Sequence, residues 1–143
     1  MLTVAVLAAA CGQTVSVPEP NPAPEAVRLC RALHERLPDR LDSERRRPTE
    51  PDSELVAAWG SPPVGLRCGV GRPAGLRPTS RLATVNGVDW LPEPESAPTR
   101  FTTVGRAVYV EVILPEEGLP AANVLVDLAA PIKATVPPRR DPG

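Results

Sequence analysis

The sequence has a single histidine, His34, and a single lysine, Lys133, against 15 arginines. A lone imidazole excludes a multi-histidine metal site and a two-histidine relay. The three cysteines include no C-x₂-C pair, which excludes a zinc knuckle. Aromatic residues are few: Trp59, Trp90, Phe101 and Tyr109. No phosphate-cradling loop is present either. Gly69–Gly75 (GVGRPAG) lacks the lysine and the final glycine, and Pro73 interrupts the helix start that phosphate binding needs. An excess of charge of one sign is also missing. The formal net charge is −1, so no global field draws the chain to nucleic acid or to acidic lipids. Alanine, arginine, glycine and proline together make 63 of the 143 residues, a skew that reads as a GC-rich genome before it reads as a polyanion surface.

What is present begins with an apolar run, Leu2–Ala10 (LTVAVLAAA). It is too short to span a bilayer, which takes about 20 residues, and it fits the h-region of a signal peptide over residues 1–10. The small residues Ala8, Ala9 and Ala10 lead directly to Cys11 and Gly12, an order that resembles the bacterial lipobox, in which the cysteine is diacylated and becomes the first mature residue. Two departures stand out: Ala8 occupies the place where leucine is usual, and no basic residue precedes the run. The alternative is a buried N-terminal strand or helix, with Val4, Val6 and Leu7 in a core. Against it, Gln13–Pro24 (QTVSVPEPNPAP) is proline-rich and without periodicity, so residues 11–24 read as a lipidated cysteine followed by an extended tether. Cysteine arithmetic points the same way. An odd thiol in an exported chain needs a use; a lipid on Cys11 leaves Cys30 and Cys68 as one pair in an oxidising compartment. The other reading is two buried reduced thiols in a cytosolic protein.

Residues 25–134 read as one α+β domain. Pro24 opens a helix that Pro38 ends, with Ala26, Val27, Cys30, Leu33 and Leu37 on one face. Cys30 therefore faces inward, within reach of a strand. Asp39–Ser53 reads as a charged loop. Its Arg45-Arg46-Arg47 run looks like a polyanion site, yet interleaved acids make a solvated surface the better reading. Strand-like segments follow at Leu55–Trp59, Val64–Val70, Leu82–Val85, Val88–Leu91, Phe101–Val104 and Ala107–Leu114. Asn86-Gly87 tolerates positive φ at both positions and predicts a hairpin in which Val85 faces Val88 and Ala83 faces Trp90. Val108, Val110, Val112 and Leu114 should line the core. A last helix is expected from about Pro120 to Ala130, ended by Pro131, with residues 135–143 disordered. The architecture expected is two layers: a small antiparallel sheet with N- and C-terminal helices packed on it and one disulfide.

Ala58-Trp59-Gly60, Pro62-Pro63-Val64, Leu66-Arg67-Cys68-Gly69-Val70, Arg72-Pro73, Asn86-Gly87-Val88-Asp89-Trp90 and Phe101-Thr102-Thr103-Val104-Gly105-Arg106 together resemble an actinobacterial family of secreted proteins, the domain of unknown function numbered 3515. The resemblance covers about residues 25–130. It implies a signal or lipobox and a pair of cysteines matching Cys30 and Cys68. It implies no activity, cofactor or catalytic residue.

Candidate ligand-binding residues are Trp59, Arg67, Arg72, Asp89, Trp90 and Arg106. An arginine beside a tryptophan can hold a carboxylate or phosphate while an apolar body stacks on the ring. The competing reading makes both tryptophans core anchors and pairs Arg67 with Asp89 or Glu111. Ser61 and Ser80 lack a plausible histidine base, and Asp89 with Glu111 is the carboxylate pair that a hydrolase would use. The expectation is an extracytoplasmic, non-catalytic binding or assembly module. It would be held to the membrane through a lipidated Cys11, or secreted. It would need no cofactor, metal or nucleic acid, and its partner would be an envelope protein or a small anionic ligand. The alternatives are a structural or accessory envelope protein without a small-molecule ligand and a carboxylate-dependent hydrolase.

Overall fold

A computed structural model describes residues 13–95, 99–116 and 120–140. The expected signal peptide and Cys11 lie outside the described residues, as do residues 141–143. The chain runs β1 (Val15–Ser16), α1 (Pro24–Arg36), β2 (Arg40–Leu41), β3 (Glu44–Arg47), β4 (Thr49–Glu50), β5 (Val56–Trp59), β6 (Val64–Val70), β7 (Ala83–Val85), β8 (Val88–Glu93), β9 (Thr99–Val104), β10 (Tyr109–Leu114) and α2 (Ala121–Thr135). Eight strands form one sheet in the order β2-β3-β5-β6-β10-β9-β8-β7, every neighbouring pair antiparallel. Both helices lie on one face, so the domain is α+β.

Alternation decides which side chains meet the helices. Val64, Leu66 and Cys68 share a face of β6, and the register carries that face across Val110, Val112 and Phe101 to Thr103 and Trp90. Cys30, on the buried side of α1 with Leu33, is disulfide-bonded to Cys68 with 5.6 Å between Cα atoms. The pairing expected of the two cysteines is thus present, and it staples α1 to the middle of the sheet. The Asn86-Gly87 hairpin has the predicted register, Val85 on Val88 and Ala83 on Trp90. Both turn residues take positive φ.

Four segments differ from expectation. Gln13–Pro24 is a packed strap, not a free tether: β1 pairs in parallel with β4, and Val17 and Pro20 are buried. Proline prevents the strap from extending a sheet, but an extended backbone still offers carbonyls, and Pro18 accepts a hydrogen bond from Arg67 Nε at 2.8 Å. Asp39–Ser53 contains β2, β3 and β4, which are too short and too rich in arginine to show a period. Leu41 nonetheless supplies a fully buried anchor there. Helix α2 continues through Pro131 to Thr135 because Ile132 and, just beyond the helix, Val136 are completely buried. That burial outweighs the roughly 3 kcal/mol cost of an internal proline. Finally, residues 136–140 are ordered. Ala107 N–H donates to Pro137, Arg139 N–H donates to Gly105, and Arg106 bridges Pro138.

Candidate functional site

The face of the sheet away from the helices carries a polar row. Register places Arg67 (β6), Glu111 (β10), Thr102 (β9) and Leu91 (β8) side by side. Arg100, two residues from Thr102, points to the same side. Glu111 is only 6% exposed, a depth at which a carboxylate needs charged partners. It has two. Arg67 Nη1 donates to one oxygen at 3.1 Å, and Arg100 Nε stands 3.7 Å from the other. Arg67 is held further by Pro18, so its guanidinium is committed to the fold. Arg100 is less satisfied: its Nε is buried with no hydrogen-bond partner among the described residues.

Over this row lies a cleft of about 600 Å³, walled by the strap at Glu19–Asn21 and by the loop after β6 at Gly71–Ala74. Its charged lining is Arg67, Arg72 and Arg100 against Glu19, Glu93 and Glu111. A bulge makes room for it. Val110 pairs with Cys68 and Tyr109 with Val70, so Gly69 is left unpaired. Gly69 has φ +93°, and a Cβ there would stand 2.6 Å from Pro22 Cγ. Only glycine lets the strap pass this close to β6.

Two of the six residues singled out in the sequence meet here, Arg67 and Arg72. The other four do not. Trp59 and Trp90 are fully buried on the helix side, which overturns the expected stacking of a ligand on either ring. The guanidinium that does cover Trp59 is that of Arg46, at 5.4 Å from the ring centroid, and the indole N–H of Trp59 donates to Pro38. Arg46 also donates to His34 Nε2 at 3.1 Å, and burial followed by the charge of Arg46 lowers the His34 pKa. Asp89 accepts from Thr84 Oγ1 at 2.6 Å. Arg106 donates to the carbonyls of Val136 and Gly87, a structural clamp that is not part of the cleft lining. Asp89 and Glu111 are not brought together either. Register sets them two strands and two residues apart, about 10 Å across and 7 Å along. Sequence reasoning missed Arg100 and Glu93. The signal available was alternation on β9, which puts Arg100 on the face of Thr102, but the pairing with β10 that brings it to Glu111 is long-range.

The family described as Protein of unknown function (DUF3515) matches residues 1–140. No curated protein and no solved structure matches the chain. The chain belongs to that family.

Proposed function

We propose that the protein is a non-catalytic binding module of the cell envelope, anchored outside the cytoplasmic membrane by a lipid on Cys11, and that the cleft on the helix-free face receives a small ligand bearing an acidic group. The observation that carries the ligand reading is the unspent donor capacity of Arg72 and Arg100. Arg72 is exposed, and among the described residues its guanidinium makes one long hydrogen bond, to Leu76 at 3.4 Å. Arg100 holds its buried Nε 3.7 Å from Glu111. A guanidinium fork suits a carboxylate or phosphate, while Glu19 and Glu93 on the rim favour a ligand that also carries hydroxyl or amine donors. The disulfide supports an oxidising compartment and leaves Cys11 as the odd thiol. An accessory role through an apolar docking patch has less support. Among the described residues the large apolar side chains exposed by more than a third are Leu82 at 39% and Val126 at 44%, too little for such a patch.

Titration of the labelled protein with inorganic phosphate, glycerol phosphate and glucuronate should shift the amides of Arg72, Arg100 and Thr102 saturably. Arg72→Ala combined with Arg100→Ala should weaken binding at least tenfold. Shifts absent from the cleft, or unchanged in the double variant, overturn the ligand reading. Mass spectrometry of the mature N-terminus addresses the anchor separately: a diacylated Cys11 is expected, and an unmodified Cys11 or a retained Met1 overturns it.

A further inference from the structure

The fold sorts the arginine-rich stretch that the sequence leaves as a solvated loop. Asp42 and Ser43, at φ 45° and 69°, turn β2 back onto β3. The turn delivers Asp42 to α2, where its carboxylate accepts from Asn123 at 3.3 Å and its backbone N–H donates to Asp127 at 2.8 Å. Arg46 covers Trp59 on the helix side, and alternation places Asp39 and Glu44 on that side with it. The opposite face keeps Arg40, Arg45 and Arg47, and the next acid along the chain is Glu50. Arg40 and Arg45 are direct cross-strand partners and both are exposed. Like charges set opposite one another destabilise a hairpin; Arg40 offsets part of that cost by donating from Nη1 to the Ser43 carbonyl in the turn at 3.2 Å, while Arg45 stands exposed. Among the described residues none of these three arginines is in an ion pair.

The position of this face relative to the chain start gives it a partner. Arg47 is half-buried and its guanidinium is spent on the fold, Nη1 donating to the carbonyl of Gly60 at 2.9 Å and Nη2 to that of Gln13 at 2.8 Å, so it ties the chain start to this face. Cys11 precedes Gln13 by two residues, which can span at most about 7 Å. Because Gln13 onward is pinned as a strap, an anchor at Cys11 would hold the domain against the bilayer, not on a long leash. We propose that Arg40 and Arg45 dock on anionic phospholipid headgroups beside the anchor and so fix the domain's orientation on the membrane. This rests on the reading of Cys11 as lipidated. A single arginine near an anionic surface is worth roughly fivefold in partitioning, and two are worth about twenty-five-fold. With the acyl chains already holding the protein at the surface, that suffices to select one orientation.

The two cysteines of the disulfide leave Cys11 as the remaining thiol. Coupling it to a maleimide phospholipid therefore reproduces the anchor whether or not cells supply one. The chain beginning at Cys11 keeps every residue of the described fold, and can be coupled into nanodiscs of phosphatidylglycerol or of phosphatidylcholine doped with gadolinium-chelate lipid. Paramagnetic relaxation at the amides of Arg40 and Arg45 should be severalfold stronger in phosphatidylglycerol. In R40Q/R45Q it should fall to the phosphatidylcholine level, with the spectrum otherwise unchanged. Equal relaxation in the two lipids, or no loss in R40Q/R45Q, overturns the docking face. A failure here with a diacylated Cys11 in cells removes the docking face alone, whereas docking in nanodiscs with an unmodified cellular Cys11 removes the anchor alone.

Discussion

His34 accepts a hydrogen bond from a guanidinium, a role that only its neutral form can fill. Burial and the Arg46 charge both hold its pKa below the ordinary value of about 6.5. A histidine with a depressed native pKa contributes stability that is fully present above the unfolded pKa. That contribution is lost as pH falls from about 6.5 toward the native value, because the unfolded chain binds the proton first. Urea midpoints measured at pH 8, 6.5 and 5 should show the wild type losing ground relative to His34→Gln, whose amide oxygen also accepts from Arg46 but does not titrate. The comparison cancels the carboxylates common to both proteins. Parallel profiles would remove His34 from the pH response. Residue identity alone reveals little of this: a lone histidine on a helix flank gives no hint that an arginine ten or more positions on will lie against it.

Elements were legible where a local pattern had no rival. Asn86-Gly87 fixes its own hairpin register, and Val108, Val110, Val112 and Leu114 show their face because nothing but alternation arranges them. Helix α1 was equally plain between Pro24 and Pro38. Where proline dominates, the pattern misleads in both directions, since the strap packs and α2 runs through Pro131. Neither outcome is local; each follows from what the rest of the chain offers for burial. The bulge at Gly69 is the element on which the strap and the cleft both depend. Gly69→Ala combines a left-handed backbone with a Cβ closer than 3.0 Å to Pro22 and should cost about 2 kcal/mol or more. Gly71→Ala, with nothing within 4 Å, should stay within about 0.5 kcal/mol. Limited proteolysis should cut Gln13–Pro22 faster in the first variant only; unchanged protection would mean that the strap does not need the bulge.

At the scale of the whole molecule both ends of the described chain return to the sheet, and the sequence concealed this because return contacts are made one or two residues at a time. The cleft was half legible for the same reason. Arg67 and Arg72 sit in one recognisable string, but Arg100, Glu93 and the wall at Glu19–Asn21 reach them only through sheet order and the strap. The C-terminal return is centred on Arg106. Its guanidinium donates to Val136 at 2.7 Å and to Gly87 at 3.1 Å, joining the exit of α2 to the turn of the β7–β8 hairpin. Val136, fully buried, holds the same segment by packing. Val136→Ala should cost about 2 kcal/mol through the cavity it leaves. Arg106→Ala should cost roughly 1–3 kcal/mol through carbonyls left without a donor. These losses share one object, the seating of residues 136–140 on the β9–β10 turn. Once either variant loosens that segment, the other has less left to lose, so the double variant should fall short of the sum by about 1 kcal/mol. Urea denaturation of the four proteins measures the coupling directly. Additivity within about 0.3 kcal/mol would show that packing and clamp act independently, and that the tail is seated by its backbone hydrogen bonds to Gly105 and Ala107 instead.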